Sequence, residues 1–254
     1  MIILMLVIGL ISGIITGLLS VGGGIILIFF LLVLPPILLQ SYFPMQTIAA
    51  FSIMQAFFAT LSGAFYYIRE KLIDLEIVLY LGVPAFFGGI LGVMIAHSIT
   101  DFALRVVFAI LAATAAVVMF IPNRSNIEGP FKFTAISYVL SGAGGILIGV
   151  IGGMVGLSAG FIFVPVMIYL YRLSVKKAIG TSLATCFLLA AGSFLAKLGA
   201  GAVSIEMGVA LVAGGVIGAQ IGGRIGKRLP SLVLKRTAAF SIFLISIKVV
   251  YDLF

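Results

Sequence analysis

The stretch S-V-G-G-G, residues 20–24, interrupts an apolar run that begins at Met1 and meets no charged residue before Arg69. Three consecutive glycines are expensive inside membrane-spanning sequence, because backbone released from a helix finds no water there to satisfy it. That setting follows from composition: 63% of the 254 residues are hydrophobic, only 9% are charged, and the mean hydropathy is +1.37. A soluble domain carries far less apolar sequence. Charges fall in short islands separated by stretches of about 20 apolar residues, the length of one bilayer-spanning helix. The chain reads as an all-α polytopic membrane protein.

The formal charge of +8 does not point to nucleic acid, because Lys and Arg sit in the loops between apolar segments, as the positive-inside bias places them. Residues 1–10 carry no basic n-region, so the first segment reads as retained and not as a cleaved leader. With one cysteine, Cys186, neither an intrachain disulfide nor a cysteine-rich metal site is expected.

The sequence is written twice. Gly9, Gly13, Gly17 and Gly24 recur as Gly145, Gly149, Gly153 and Gly160. Gly88-Gly89-x-x-Gly92 is matched with Gly214-Gly215-x-x-Gly218, and Ala49-Ala50-Phe51-Ser52 with Ile179-Gly180-Thr181-Ser182. A first repeat over 1–121 and a second over 134–254 are joined by a polar linker, 122–133, with Pro122 and Pro130 marking it as a loop. Each repeat holds five apolar segments, near 2–20, 24–39, 45–68, 77–97 and 102–121, then 134–155, 159–172, 177–198, 205–223 and 233–253.

Charge counting constrains the topology. If the two segments around each glycine break make an even number of crossings, twelve of the fifteen basic residues collect on one face, leaving Arg105, Lys197 and Lys248 opposite. Each repeat then crosses an odd number of times, and the two are inverted, an arrangement common in secondary transporters. The expected fold has about 8–10 membrane segments, with glycine-broken helices or hairpins near mid-membrane.

The spaced glycines read as packing faces. The consecutive small residues, Gly22-Gly23-Gly24 and Ser158-Ala159-Gly160, read as breaks exposing N–H groups and a helix N-terminus, a setting suited to anions. Hydroxyl and amide groups that follow the breaks complete a candidate cradle: Ser52 and Gln55 in the first repeat, Thr181 and Ser182 in the second. All seven acids lie in loops or at segment ends, which leaves no proton relay and disfavours cations. Lys197 reads as snorkelling to the interface, with an anion path as its alternative, and His97 as interfacial. Tyr66, Tyr67, Tyr169 and Tyr171 read as interfacial anchors.

The break S-V-G-G-G-I-I-L, the stretch G-L-S-A-G-F-I-F-V-P at 156–165 and K-K-A-I-G-T-S-L at 176–183 resemble the paired motifs of the sulfite exporter TauE/SafE family of membrane transporters. The first half departs where Ala50-Phe51-Ser52 replaces the Gly-Thr-Ser of the second, and Phe29 stands opposite Pro165. The resemblance implies a multi-pass protein of a prokaryotic-type inner membrane that exports sulfur oxyanions or organosulfonates, without catalysis, cofactor or metal. The expected substrate-binding residues are Gly22, Gly23, Gly24, Ser52, Gln55, Ser158, Gly160, Thr181 and Ser182. The expected partners are a small anion and the bilayer, with no nucleic acid, and a homo-oligomer is left open. Inward permeation or a channel for another small anion is the alternative. A rival enzyme reading rests on G-x-S-x-G at 156–160, but it needs a strand-turn-helix elbow and a base, for which His97 is the sole imidazole.

Overall fold

The structure, a computed structural model, describes residues 1–20, 23–39, 42–120, 134–198, 205–230 and 233. The linker at 122–133 and, apart from Val233, the last apolar segment lie outside the described residues, as does Gly22. The described chain is helical, in nine elements: α1 (Ile2–Leu19), α2 (Gly23–Leu39), α3 (Met45–Arg69), α4 (Leu75–Ala96), α5 (Asp101–Phe120), α6 (Ala135–Val155), α7 (Gly160–Tyr169), α8 (Val175–Leu198) and α9 (Ile205–Arg228). Six of these, α1, α3, α4, α6, α8 and α9, are long and apolar enough to cross a membrane.

Local sequence explains the ends. Thr134 and Ser137 form a reciprocal capping box that starts α6, and the Asp74 carboxylate accepts the Ile77 N–H to start α4. Within α4 the ladder widens to π geometry over Val78–Gly82, just before Pro84, which has no N–H to give. Apolar side chains such as Ile3, Ile136, Val139 and Ile205 face outward, as lipid requires.

The bundle is assembled by backbone contact. Gly9, Gly13 and Gly17 of α1 press on Leu211, Gly215 and Ala219 of α9, while Gly145, Gly149 and Gly153 of α6 press on Leu81, Ala85 and Gly89 of α4. A Cβ on Gly13 would lie 2.4 Å from the Gly215 carbonyl oxygen, and one on Gly149 2.5 Å from that of Ala85. Both pairs are parallel, since residue numbers rise together along each contact. The two seams correspond at separations of 136 residues on one side and 130 on the other. Gly88 and Gly92, which press on Ile146 and Val150, thus correspond to Gly218 and Gly222, which press on Leu10 and Ile14. That register is one helical turn later than the sequence match to Gly214 and Gly218, and a glycine every fourth residue made both alignments look alike. The 130-residue separation holds on α3 and α8 as well. Positions 51–60 and 181–190 share one pattern of buried and half-buried residues, and Phe57 stacks on Phe187 at 5.3 Å.

Basic residues gather at one end. Lys177 pairs with Asp74 at 2.8 Å, Lys227 with Glu70 at 2.6 Å, and the Lys176 ammonium donates to the Lys227 carbonyl. This end holds the C-termini of α3 and α9 and the N-termini of α4 and α8. At the opposite end Arg105 pairs with Asp101 at 2.7 Å, and Lys197 donates to the Gln46 carbonyl at 3.1 Å. Parallel contact with α9 makes α1 run toward the basic end, and parallel contact with α4 makes α6 run away from it. After its break each chain turns back. α2 leads through 40–44 into the start of α3, and α7 leads through 170–174 into the start of α8. With 10 residues, α7 is about 15 Å long, half of a hydrocarbon core of about 30 Å.

The tyrosines divide. Tyr169 is exposed at a helix end, whereas Tyr67 is 2% and Tyr171 1% exposed. Each buried hydroxyl is satisfied: Tyr67 donates to the Gly17 carbonyl at 3.3 Å, and Tyr171 bonds Ser141. These two are internal packing residues and not interfacial anchors: the face of α3 that carries Tyr67 turns inward, and the bend after α7 carries Tyr171 back against Ser141 of α6.

Three outcomes are expected. Gly13→Val or Gly149→Val forces backbones apart and costs about 1–3 kcal/mol, read as a lower melting temperature in detergent. Gly144→Ala, whose added Cβ meets nothing within 4 Å, leaves stability unchanged or gains up to about 1 kcal/mol from helix propensity. In a Cys186→Ala background, impermeant thiol reagents label Lys176→Cys from the cytoplasmic face and Arg105→Cys from the opposite face.

Candidate functional site

The two breaks meet inside the bundle. α1 ends at Ser20, whose left-handed backbone (φ 54°) turns the chain, with the Ser20 N–H donating to the Thr16 carbonyl at 2.8 Å. α6 ends at Gly156, also left-handed at φ 82°. The Leu157 N–H reaches back to the Gly152 carbonyl at 2.7 Å, closing the helix end. Any side chain at 156 would strike Ala49, since a Cβ there lies 2.6 Å from the Ala49 Cα. Ala159, at φ 52°, reverses the chain again and starts α7. The first turn of α7 leaves its N–H groups without intrahelical acceptors, as every helix start does.

The tips lock together at Gly160. A Cβ there would lie 1.6 Å from the Ser20 carbonyl oxygen, so only glycine lets the first break rest on the second. On the other side of the contact, a Cβ on Gly24 would lie 3.5 Å from both the Ser158 nitrogen and the Ser52 hydroxyl. Gly23 opens α2 beside it.

Five expected residues, Gly24, Ser52, Ser158, Gly160 and Ser182, thus surround one buried contact. Ser20 and Cys186 join them. The Ser20 hydroxyl donates to that of Ser182 at 3.1 Å, and Ser182 lies 3.8 Å from the Cys186 sulfur. Ser52 and Ser182 are both 0% exposed. The Ser182 hydroxyl has these partners, but that of Ser52 has none among the described residues. A buried hydroxyl without a partner is rare and costly. Ser20 was legible as the first letter of the opening stretch, and Cys186 as the residue one turn beyond Ser182 on the same helix face.

Gln55 and Thr181 stand apart. The Gln55 amide donates to the Ser12 hydroxyl at 3.2 Å and packs on Gly215, at the seam of α1, α3 and α9. Its carbonyl oxygen has no partner among the described residues. The Thr181 hydroxyl accepts the Asp74 N–H at 2.9 Å, anchoring the loop before α4. One residue along a helix turns the side chain by about 100°, which separates Thr181 from Ser182.

The cluster contains no carboxylate and no basic side chain. Its polar groups are hydroxyls, one thiol and peptide N–H groups. No group of His, Cys, Asp and Glu among the described residues is placed to hold a metal ion. G-x-S-x-G at 156–160 joins helix to helix, not strand to helix.

Comparison with known proteins agrees with this architecture. The model of the sulfite exporter TauE/SafE family matches residues 4–249. A "probable membrane transporter protein YunE" of Bacillus subtilis is 24% identical, over 98% of this chain and 97% of its own. A second Bacillus subtilis protein, "probable membrane transporter protein YdhB", is 28% identical over 88% of this chain and 89% of its own. A "probable membrane transporter protein" of Haemophilus influenzae is 24% identical over 91% of this chain and 88% of its own. No solved structure matches. With six helices among the described residues long and apolar enough to cross a membrane, and a family match along nearly its whole length, the chain is an integral multi-pass membrane transporter that belongs to the sulfite exporter TauE/SafE family.

Proposed function

We propose that this transporter exports small sulfur oxyanions or organosulfonates, such as sulfite, thiosulfate or sulfoacetate, through the serine cluster at the two breaks. The observation that carries this reading is the Ser52 hydroxyl, fully buried and without a partner, beside the break at Ser158 and the tip contact of Gly24. A tetrahedral oxyanion presents several acceptor oxygens and no donor. Hydroxyls can turn their protons toward it, and the starts of α2 and α7 add peptide N–H groups and the positive end of a helix dipole. A cation would find only neutral oxygens and no carboxylate, too little to replace its hydration.

The correspondence of α1 with α6 and of α3 with α8 supports two inverted repeats, 1–121 and 134–254, that share the site. The Ser20 carbonyl rests directly on Gly160, so an anion enters only when the tips part. That describes an occluded state, and alternating access follows if the two hairpins part first toward one face and then toward the other. Outward movement of an anion is favoured by an inside-negative potential, by about 2.3 kcal/mol per charge per 100 mV. The basic end is the cytoplasmic one by the positive-inside bias, and it draws anions to the entry side. Gln55 and Thr181 support the site from the adjoining seams.

Flux of sulfite, thiosulfate, sulfoacetate, sulfate and chloride through proteoliposomes at an imposed potential tests this reading. Saturable flux selective for sulfur anions is expected, reduced at least about tenfold in Ser52→Ala/Ser182→Ala, the loss of roughly two hydrogen bonds to a charged group. Thr181→Ala is expected to lower the melting temperature and keep the selectivity. Selective flux that the double variant leaves intact would move the site elsewhere, and dependence on a proton or sodium gradient at clamped potential would refute uncoupled export.

A further inference from the structure

We propose that a pocket at the less basic end is a second anion site, with Lys197 as its cationic anchor, through which the small oxyanion passes between that face and the serine cluster. The inference rests on the transport reading above for what passes, but it stands on a different part of the molecule.

Gln46 and Ala49 of α3, His97 after α4, Leu104 of α5, Met154 of α6 and Lys197 of α8 line the pocket. Its floor abuts the second break. Ala49 packs on the Gly156 turn, Met154 lies two residues before that turn, and Ser52 follows Ala49 by one turn of α3. Ala49 thus touches both the pocket and the second break, one turn of α3 from Ser52.

The electrostatics of the pocket favour an anion. The Lys197 ammonium donates to one backbone carbonyl, that of Gln46, and no carboxylate pairs with it among the described residues. The acid on a neighbouring wall, Asp101, is already engaged by Arg105 at 2.7 Å and by the Met45 N–H at 2.5 Å. Of its three N–H donors Lys197 commits one, so two remain. Apart from Lys197, His97 and Gln46 the walls are apolar, and a charge beside apolar walls is poorly screened. Snorkelling to the interface, the other reading of this lysine, does not require a lined pocket. The place that corresponds to Lys197 at the 130-residue separation is held by Tyr67 at the basic end. Tyr67 is packed inward there, its hydroxyl on the Gly17 carbonyl and against Gly226. One end is thus closed by a neutral ring where the other presents a cation beside a pocket.

Sulfoacetate is the probe, applied to the full chain. In proteoliposomes, with the anion presented at the less basic face, Lys197→Met is expected to raise KM about tenfold while the maximal rate stays within about twofold, the pattern of a lost binding contact. Lys197→Arg, which restores the charge, is expected to return KM to within about threefold of wild type. An unchanged KM in Lys197→Met, with normal wild-type transport, overturns the proposal. A binding readout separates this failure from failure of the transport reading. Sulfoacetate is expected to raise the melting temperature of the purified protein and of Ser52→Ala/Ser182→Ala, but not of Lys197→Met. If no anion is transported, that readout decides alone. Absence of a shift in wild type, or a full shift in Lys197→Met, refutes the site. Lys197→Gln serves in place of Lys197→Met should the latter not elute as a single species.

Discussion

Backbone-to-backbone contact between α1 and α9, and between α6 and α4, is the constraint on which the rest of this molecule depends. In lipid there is no hydrophobic force to drive one apolar helix onto another, so association rests on close packing and on small residues that allow it. Here glycines supply that approach on both seams, with carbonyls pressed where a Cβ would stand. The consequence reaches beyond stability. Each broken hairpin is clamped by a helix from the distant part of the chain, α1 by α9 and α6 by α4. The tips are therefore held against each other by elements that neither hairpin contains.

That arrangement explains why some of the architecture was legible in the sequence and some was not. The helices and the sidedness of the charges were readable, because a bilayer imposes a length on apolar segments and a location on Lys and Arg whatever the packing. The breaks were readable because consecutive small residues have few other uses in such a setting. Register was not. A glycine at every fourth position looks the same after a slip of one turn, and only the partner contacts separate Gly218 from Gly214 as the counterpart of Gly88. The candidate site was legible to the same degree: Ser52, Ser158 and Ser182 come together, and Cys186 and Ser20 belong with them. Thr181 and Gln55 face neighbouring seams, a matter of helix rotation that spacing alone does not decide. Tyr67, whose place beside an arginine resembles an interfacial belt, turns inward for the same reason, and Tyr171 does so through the bend that follows α7.

The chemistry of the cluster is narrow. With no carboxylate and no basic side chain it has no fixed charge to oppose an anion or to hold it permanently, and its hydroxyls reorient at little cost. On the transport reading, a site that must release its cargo on the far side is better served by such donors than by a buried arginine, whose ion pair with an oxyanion would be slow to separate. Fixed positive charge is instead kept at the ends. The basic end carries Lys176, Lys177 and Lys227, two of them already paired with acids.

The two ends differ most where the repeat makes them comparable. If the halves exchange conformations during transport, the parts of the path that differ in sequence cannot become equivalent, and those differences set direction-dependent properties. Lys197 and Tyr67 are such a pair. On the transport reading, a cation beside the pocket at the less basic end lowers the energy of an anion that has just left the serine cluster, while Tyr67 at the other end must move aside before an anion can reach it. The tyrosine is held there by burial, by an edge-to-face contact with Tyr66 at 5.5 Å and by one hydrogen bond to the Gly17 carbonyl at 3.3 Å. On the export reading, a neutral ring at the entry side and a lysine at the exit side keep the two ends of the path inequivalent whichever conformation each half adopts, and a difference that the repeat cannot exchange is what gives the path a direction.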